Sequence, residues 1–215
     1  MIPLGLLVQA YSAALRGGRE VFRPSDISLP TDRRLAVLGR RRSGKTTLLK
    51  ILAGKLRPDL AKLLESAQFS PVANAGGLFH PKLNVVDNVR FLADLYCVDA
   101  DRMYRGLLEF CQIKSDKDIA AKSNDPALRR SLEVAAIMFL PFSCYLVDDA
   151  AHLSSEFVDR CFAAAEHRGA GLIFATSNAR MARQHAQAVL VIAERSLHLF
   201  DDVEEASEFF GQRDT

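Results

Sequence analysis

The chain has 215 residues, 49% hydrophobic and 25% charged, a globular composition that excludes a disordered, collagen-like or coiled-coil chain. Its 28 basic and 26 acidic residues leave a net charge of +2, too balanced for a dedicated nucleic-acid or acidic-membrane binder. Cys97, Cys111, Cys144 and Cys161 form no CxxC and the histidines no HExxH. No zinc site or histidine-bound catalytic metal is expected, and the cysteines read as buried reduced thiols.

Along the chain, MIPLGLLVQA (1–10) lacks a basic leader and carries Pro3 and Gly5. It reads as a first strand rather than a signal peptide. Arg34–Leu38 is a short apolar run entering a turn at Gly39, and Thr46–Leu56 follows with helical spacing, closed by Pro58. From about 78 to 140 the pattern is helical only, with helices expected at Val85–Cys97, Asp101–Cys111 and Ala127–Leu140. The longest apolar stretch, Val134–Val147, is interrupted by Pro141 and Ser143 and is too short to span a bilayer. Ser143–Val147, Leu172–Ala175 and Ala188–Ile192 read as buried strands, Ser196–Phe200 as a strand beside the last, and Asp202–Phe210 as a final amphipathic helix. Alternating strands and helices predict an α/β fold with a mainly parallel sheet. The expected organisation is one domain over 1–215, with a core of 1–77 and 141–215 and an inserted helical subdomain at 78–140.

Gly39-Arg-Arg-Arg-Ser-Gly-Lys45-Thr46 matches GxxxxGK[ST] between a predicted strand and a predicted helix, the context that a phosphate-binding P-loop requires. Gly39 and Gly44 let the backbone, Ser43 included, wrap closely enough for its N–H groups to point at phosphate oxygens. The helix N-terminus adds partial positive charge. Lys45 is expected between the β- and γ-phosphates, the Thr46 hydroxyl on Mg²⁺, and Thr47 at the α-phosphate. Arg40, Arg41 and Arg42 fill the loop, as extra attraction for polyphosphate or as solvated charge, the solvated reading being favoured for Arg40. Arg42 stands where many such loops have glycine, so its side chain must point away from the phosphates or crowd them. A metal-holding carboxylate is needed at the end of a neighbouring strand, and Asp148 supplies it, holding Mg²⁺ through water. Asp149 is the adjacent candidate base.

These features resemble the ATP-binding subunit of an ABC transporter, most closely the ATPases that export capsular polysaccharide, O-antigen or teichoic acid. The carrying segments are GRRRSGKTTLLKILAG (39–54), DNVRFLADLYCVD (87–99), YLVDDA (145–150) and FDDVEEASEFF (200–210), and the resemblance covers nearly the whole chain. It implies the ABC-type P-loop NTPase fold, with MgATP bound between two such subunits in a homodimer or heterodimer. It also implies a transmembrane permease as partner and a cytoplasmic position on the inner face of the membrane. Tyr11 would stack on adenine, and base stacking is worth roughly 1–3 kcal/mol in related settings; alternatively it is a strand tyrosine with no ligand.

The family's Q-loop glutamine falls on His80, its signature on Lys122-Ser123-Asn-Asp-Pro126, its catalytic glutamate on Asp149, its switch histidine near Thr176-Ser177 and its D-loop aspartate near Ser155. Ser123 can still donate, but Pro126 has no N–H and Asp125 repels phosphate. Asp149 is shorter than glutamate by ~1.5 Å, and misplacement by ~1 Å can cost on the order of 100-fold in rate. Weak hydrolysis is therefore expected. A second reading is a catalytically impaired nucleotide-binding subunit with a structural or regulatory role beside an active ATPase. A third, an unrelated P-loop NTPase or kinase, is opposed by the helical insertion and the DNVRF segment.

Overall fold

The computed structural model describes residues 5–11, 14–15, 19–23, 25–56, 60–64, 67–73, 78–114 and 125–212. The strands are β1 (Gly5–Tyr11), β2 (Ala14–Leu15), β3 (Arg19–Glu20), β4 (Ser25–Pro30), β5 (Arg34–Gly39), β6 (Leu60–Leu64), β7 (Phe69–Ala73), β8 (Cys144–Val147), β9 (Gly171–Thr176), β10 (Ala188–Ala193) and β11 (Ser196–Phe200). The helices are α1 (Lys45–Leu52), α2 (Val85–Leu95), α3 (Ala100–Phe110), α4 (Pro126–Met138), α5 (Ser155–His167), α6 (Ala179–His185) and α7 (Val203–Gln212), with a 3₁₀ turn at Ala150–His152.

Strands buried on both faces need unbroken apolar runs, and every residue of β8 and β9 is buried. They belong to a six-stranded sheet in the order β11-β10-β5-β9-β8-β7. All its pairings are parallel except that of β11 with β10. A separate antiparallel sheet, β4-β1-β6, and a β2-β3 hairpin come from the N-terminal part.

The side-chain period of two divides β5 between two cores. Leu35 and Val37 pack with Leu146, Ile173, Leu190 and Ile192 against Leu48, Leu49, Ile51 and Leu52 of α1, with Phe22 and Leu29 closing that layer. Ala36 and Leu38 face the other way. They join Val147, Phe174 and Val191 in a core that also takes buried residues of α2, α3, α4, α5, α6 and α7. The helices between β7 and β8 thus share one apolar cluster with the sheet.

Caps set most helix starts. The side chains of Asn84, Asp99, Asp125, Ser154 and Asn178 accept from backbone N–H groups at the beginnings of α2, α3, α4, α5 and α6. The structure adjusts two expected helices: α1 stops at Leu52, short of Leu56, and α4 runs from Pro126 to Met138 where Ala127–Leu140 was expected. Sequence patterning missed β2, β3, β4, β6, β7, α5 and α6. Pro71 obscured β7, which tolerates proline because it is an edge strand. Another correction concerns the thiols. Cys144 and Cys161 are buried, and burial pushes Cys144 up to about 12, but Cys97 is exposed. No helix among the described residues is long and apolar enough to cross a membrane.

Candidate nucleotide-binding site

Because β5, β9 and β8 run parallel, their C-terminal ends lie on one edge of the sheet, where open α/β sheets bind ligands. β5 ends at Gly39, and the loop from Arg40 to Gly44 leads directly into α1. Gly44 takes φ +105°, and a Cβ there would stand 2.9 Å from the Phe22 ring, so glycine is required on both counts. Gly39 has no room either, because a Cβ would collide with Ser43 Oγ. That hydroxyl is itself buried and has no hydrogen-bond partner among the described residues. Arg40, Arg41 and Arg42 are all exposed. Arg42 adopts φ +64°, the left-handed conformation that suits glycine, at a backbone cost.

Lys45 folds back over the loop, and its Nζ donates to the carbonyl oxygens of Gly39 and Arg40, each at 2.7 Å. Burial pushes its pKa below 10.5, while the charges of Asp148 and Asp149 push it up. Desolvation is the larger effect. Thr46, on the first turn of α1, donates from Oγ1 to Asp148 Oδ2 at 2.6 Å. Asp148 is buried, and its Oδ1 accepts from the Asp149 N–H at 3.1 Å. Thr47 follows, half-buried.

Asp148 does not stand on a strand beside β5, as the sequence suggested, because β9 lies between β5 and β8. Chain order does not by itself fix lateral strand order, since a parallel connection can cross over a strand. The long crossover nonetheless returns Asp148 to Thr46. Asp149 is exposed and left-handed, with φ 49° and ψ 49°. Its Oδ2 lies 3.0 Å from His152 Nε2. The sequence reading overlooked His152; the available signal was a histidine three residues after a candidate base.

The other expected site residues are less convergent. Tyr11 ends β1 opposite Leu60 of β6, and its ring lies outside the described side chains. Ser123 also lies outside the described residues. Asp125 and Pro126, placed in the signature by resemblance, serve as the cap and first residue of α4. His80 is exposed, and its Nδ1 accepts from Lys82 N–H at 3.3 Å. Buried Asn88 holds its loop, accepting from His80 N–H at 2.6 Å and donating to the carbonyls of His80, Leu83 and Asn84. Asn88 is a second residue that the sequence reading did not single out; it lies within the DNVRF segment. Thr176 is buried at the end of β9, where its Oγ1 accepts from Asn178 N–H.

No protein-family model matches the chain. Among curated proteins it is 25% identical over 198 residues to the capsule polysaccharide export ATP-binding protein CtrD of Neisseria meningitidis serogroup B, covering 91% of this chain and 92% of that protein. It is 25% identical over 199 residues to the ATP-binding protein BexA of Haemophilus influenzae, with the same coverage. Among solved structures, a putative metal-chelate type ABC transporter in an inward-facing conformation matches with a TM-score of 0.71 at 16% identity, over 92% of this chain and 83% of that one. An ATP-binding subunit of an ABC transporter matches with the same score at 15% identity, over 98% and 95%. The polysialic acid transport ATP-binding protein KpsT of Escherichia coli is 30% identical over 165 residues, 75% of this chain and 73% of that protein, and on this likeness, with the P-loop fold just described, the chain belongs to the ATP-binding subunits of ABC transporters.

Proposed function

We propose that the chain binds MgATP at the Gly39–Thr47 loop and hydrolyses it to energise export of a polysaccharide through a transmembrane permease. The carrying observation is the convergence of Lys45, Thr46 and Asp148 at one edge of the sheet, joined by the Thr46–Asp148 bond. Lys45 exchanges its loop carbonyls for the β- and γ-phosphates, a stronger, charge-assisted set of partners. The amides of the loop and of the first turn of α1 take the remaining phosphate oxygens.

The donors around Thr46 and Asp148 are hard oxygens, and Mg²⁺ suits a site with few protein ligands and several retained waters. Thr46 would hold the ion directly and Asp148 through water. When bound, the ion neutralises charge that develops on the β- and γ-oxygens. Asp149 stands next to it as the base. Its short reach sets slow turnover.

Tyr11 is assigned to the adenine ring and Ser123 to the phosphates of the opposite subunit, with a homodimer or heterodimer completing each site. The helical segment 78–140 and His80 are assigned to the permease side, at the inner face of the cell membrane. Leu83, Phe91 and Leu95 support this, since all three large apolar side chains are exposed on or just before α2, next to the His80 loop. Phe91 and Leu95, four residues apart, lie on one face of α2, and exposed apolar faces mark protein contacts. The names of the relatives favour a working transporter subunit over an impaired one.

The test is phosphate release from ATP with the permease partner present. Release that rises with the permease and vanishes in Lys45→Ala is expected. Equal release by wild type and Lys45→Ala would sink the assignment.

A further inference from the structure

Asp149 and His152 are held by one short, anchored turn. Asp149 precedes the 3₁₀ turn and makes no capping bond with its side chain. His152 N–H donates to the Asp149 carbonyl at 3.3 Å, and Leu153 N–H to that of Ala150 at 3.0 Å. Ala150 is buried in the core and Leu153 packs against it. The turn therefore has little freedom, and it presents both side chains toward the same side, with Nε2 and Oδ2 3.0 Å apart. Both are more than half exposed, at 57% for His152 and 54% for Asp149. Exposed pairs contribute little to stability, so holding the fold together is not a sufficient role for this contact.

We propose that His152 is the positioning residue of Asp149: its Nε2–H engages Oδ2 and turns Oδ1 toward the water that attacks the γ-phosphate. This rests on the reading of Asp149 as the base of ATP hydrolysis. The water oxygen bonds to the γ-phosphorus and its proton passes to Asp149 Oδ1. The bond from that phosphorus to the β–γ bridging oxygen breaks, and its electron pair leaves with ADP. A carboxylate on a short side chain gains most from being held, because an unrestrained rotamer spends most of its time out of line with the water.

The test is single-site and double-site kinetics of ATP hydrolysis with the permease present, followed by phosphate release. His152→Ala should lower kcat at least tenfold, leave KM for ATP unchanged and leave the melting temperature unchanged. His152→Gln, which keeps an N–H donor on a side chain of similar reach, should recover much of the rate. In an Asp149→Asn background, His152→Ala should have no further effect, since the two residues act as a unit. A kcat for His152→Ala within twofold of wild type overturns the proposal while leaving the hydrolysis reading intact. So does a loss that persists undiminished in Asp149→Asn. Absence of Lys45-dependent turnover in the wild type overturns both.

Discussion

Thr46 Oγ1 and Asp148 Oδ2 lie 2.6 Å apart across 102 residues of chain. The bond joins the first turn of α1 to the end of β8, so the helix that would hold the phosphates and the carboxylate that would hold the metal are fixed to each other. A hydrogen bond to a charged group contributes about 1.5–3 kcal/mol, and Asp148 is buried. Thr46→Val keeps the shape and removes the donor. It should lower unfolding free energy by about 2 kcal/mol in urea titrations. By calorimetry it should abolish the gain in ATP affinity that Mg²⁺ brings, while binding of ATP in excess chelator stays near wild type. Retention of the full Mg²⁺ effect would remove Thr46 from the metal site.

Lys45 carries a signature in pH. Its folded-state pKa lies below 10.5 because burial disfavours the ammonium. Below the folded value both states hold the proton, and the cost of burying the charge is fully present. Between the folded value and 10.5 the native state releases its proton first, the unfolded state binds more protons, and stability rises with pH. Lys45→Met has no such proton to release. The stability of wild type relative to Lys45→Met should therefore increase across that alkaline window, as read by chemical denaturation at several pH values. A constant difference would show that the amine is not desolvated.

Asn88 holds the His80 loop through its amide. The carboxamide oxygen accepts from His80 N–H, and its NH₂ is shared among the carbonyls of His80, Leu83 and Asn84. Asn88 is only 3% exposed, and truncation removes the acceptor of His80 N–H and the donor to the Leu83 carbonyl, while the His80 and Asn84 carbonyls keep the backbone N–H groups of Leu83 and Asn88. Asn88→Ala should cost about 2–3 kcal/mol. Hydrogen exchange should accelerate at 80–84 while β5 and β9 stay protected. A uniform rise in exchange would point to global destabilisation instead.

Arg42 is the P-loop residue with the least suitable backbone, at φ +64°. A non-glycine residue pays about 1–2 kcal/mol in that region, and glycine returns part of this as chain entropy in the unfolded state. Arg42→Gly should be neutral or stabilising by up to about 1 kcal/mol in thermal melts. ATP affinity should change less than in Lys45→Ala, because the Arg42 side chain is exposed whereas Lys45 folds over the loop. A loss of binding as large as that of Lys45→Ala would show Arg42 contacting phosphate.

The local parts of this protein were legible in its residues. Gly39–Thr46 identifies the phosphate loop because strand, glycines, lysine and helix start lie within a dozen consecutive residues. The runs read at Ser143–Val147, Leu172–Ala175 and Ala188–Ile192 fall on β8, β9 and β10, because strands covered on both faces draw on nearly continuous apolar sequence. Resemblance added the family, which the relatives bear out. What depends on lateral order or a turn was not legible. The insertion of β9 between β5 and β8, the meeting of Thr46 with Asp148, the use of Asp125 and Pro126 to start α4 and the pairing of His152 with Asp149 each follow from how distant segments pack or how a single turn bends. Periodicity reports which face of an element is buried. It does not report which elements share that face, and only the closed tertiary structure, with its two cores on either side of one sheet, decides that.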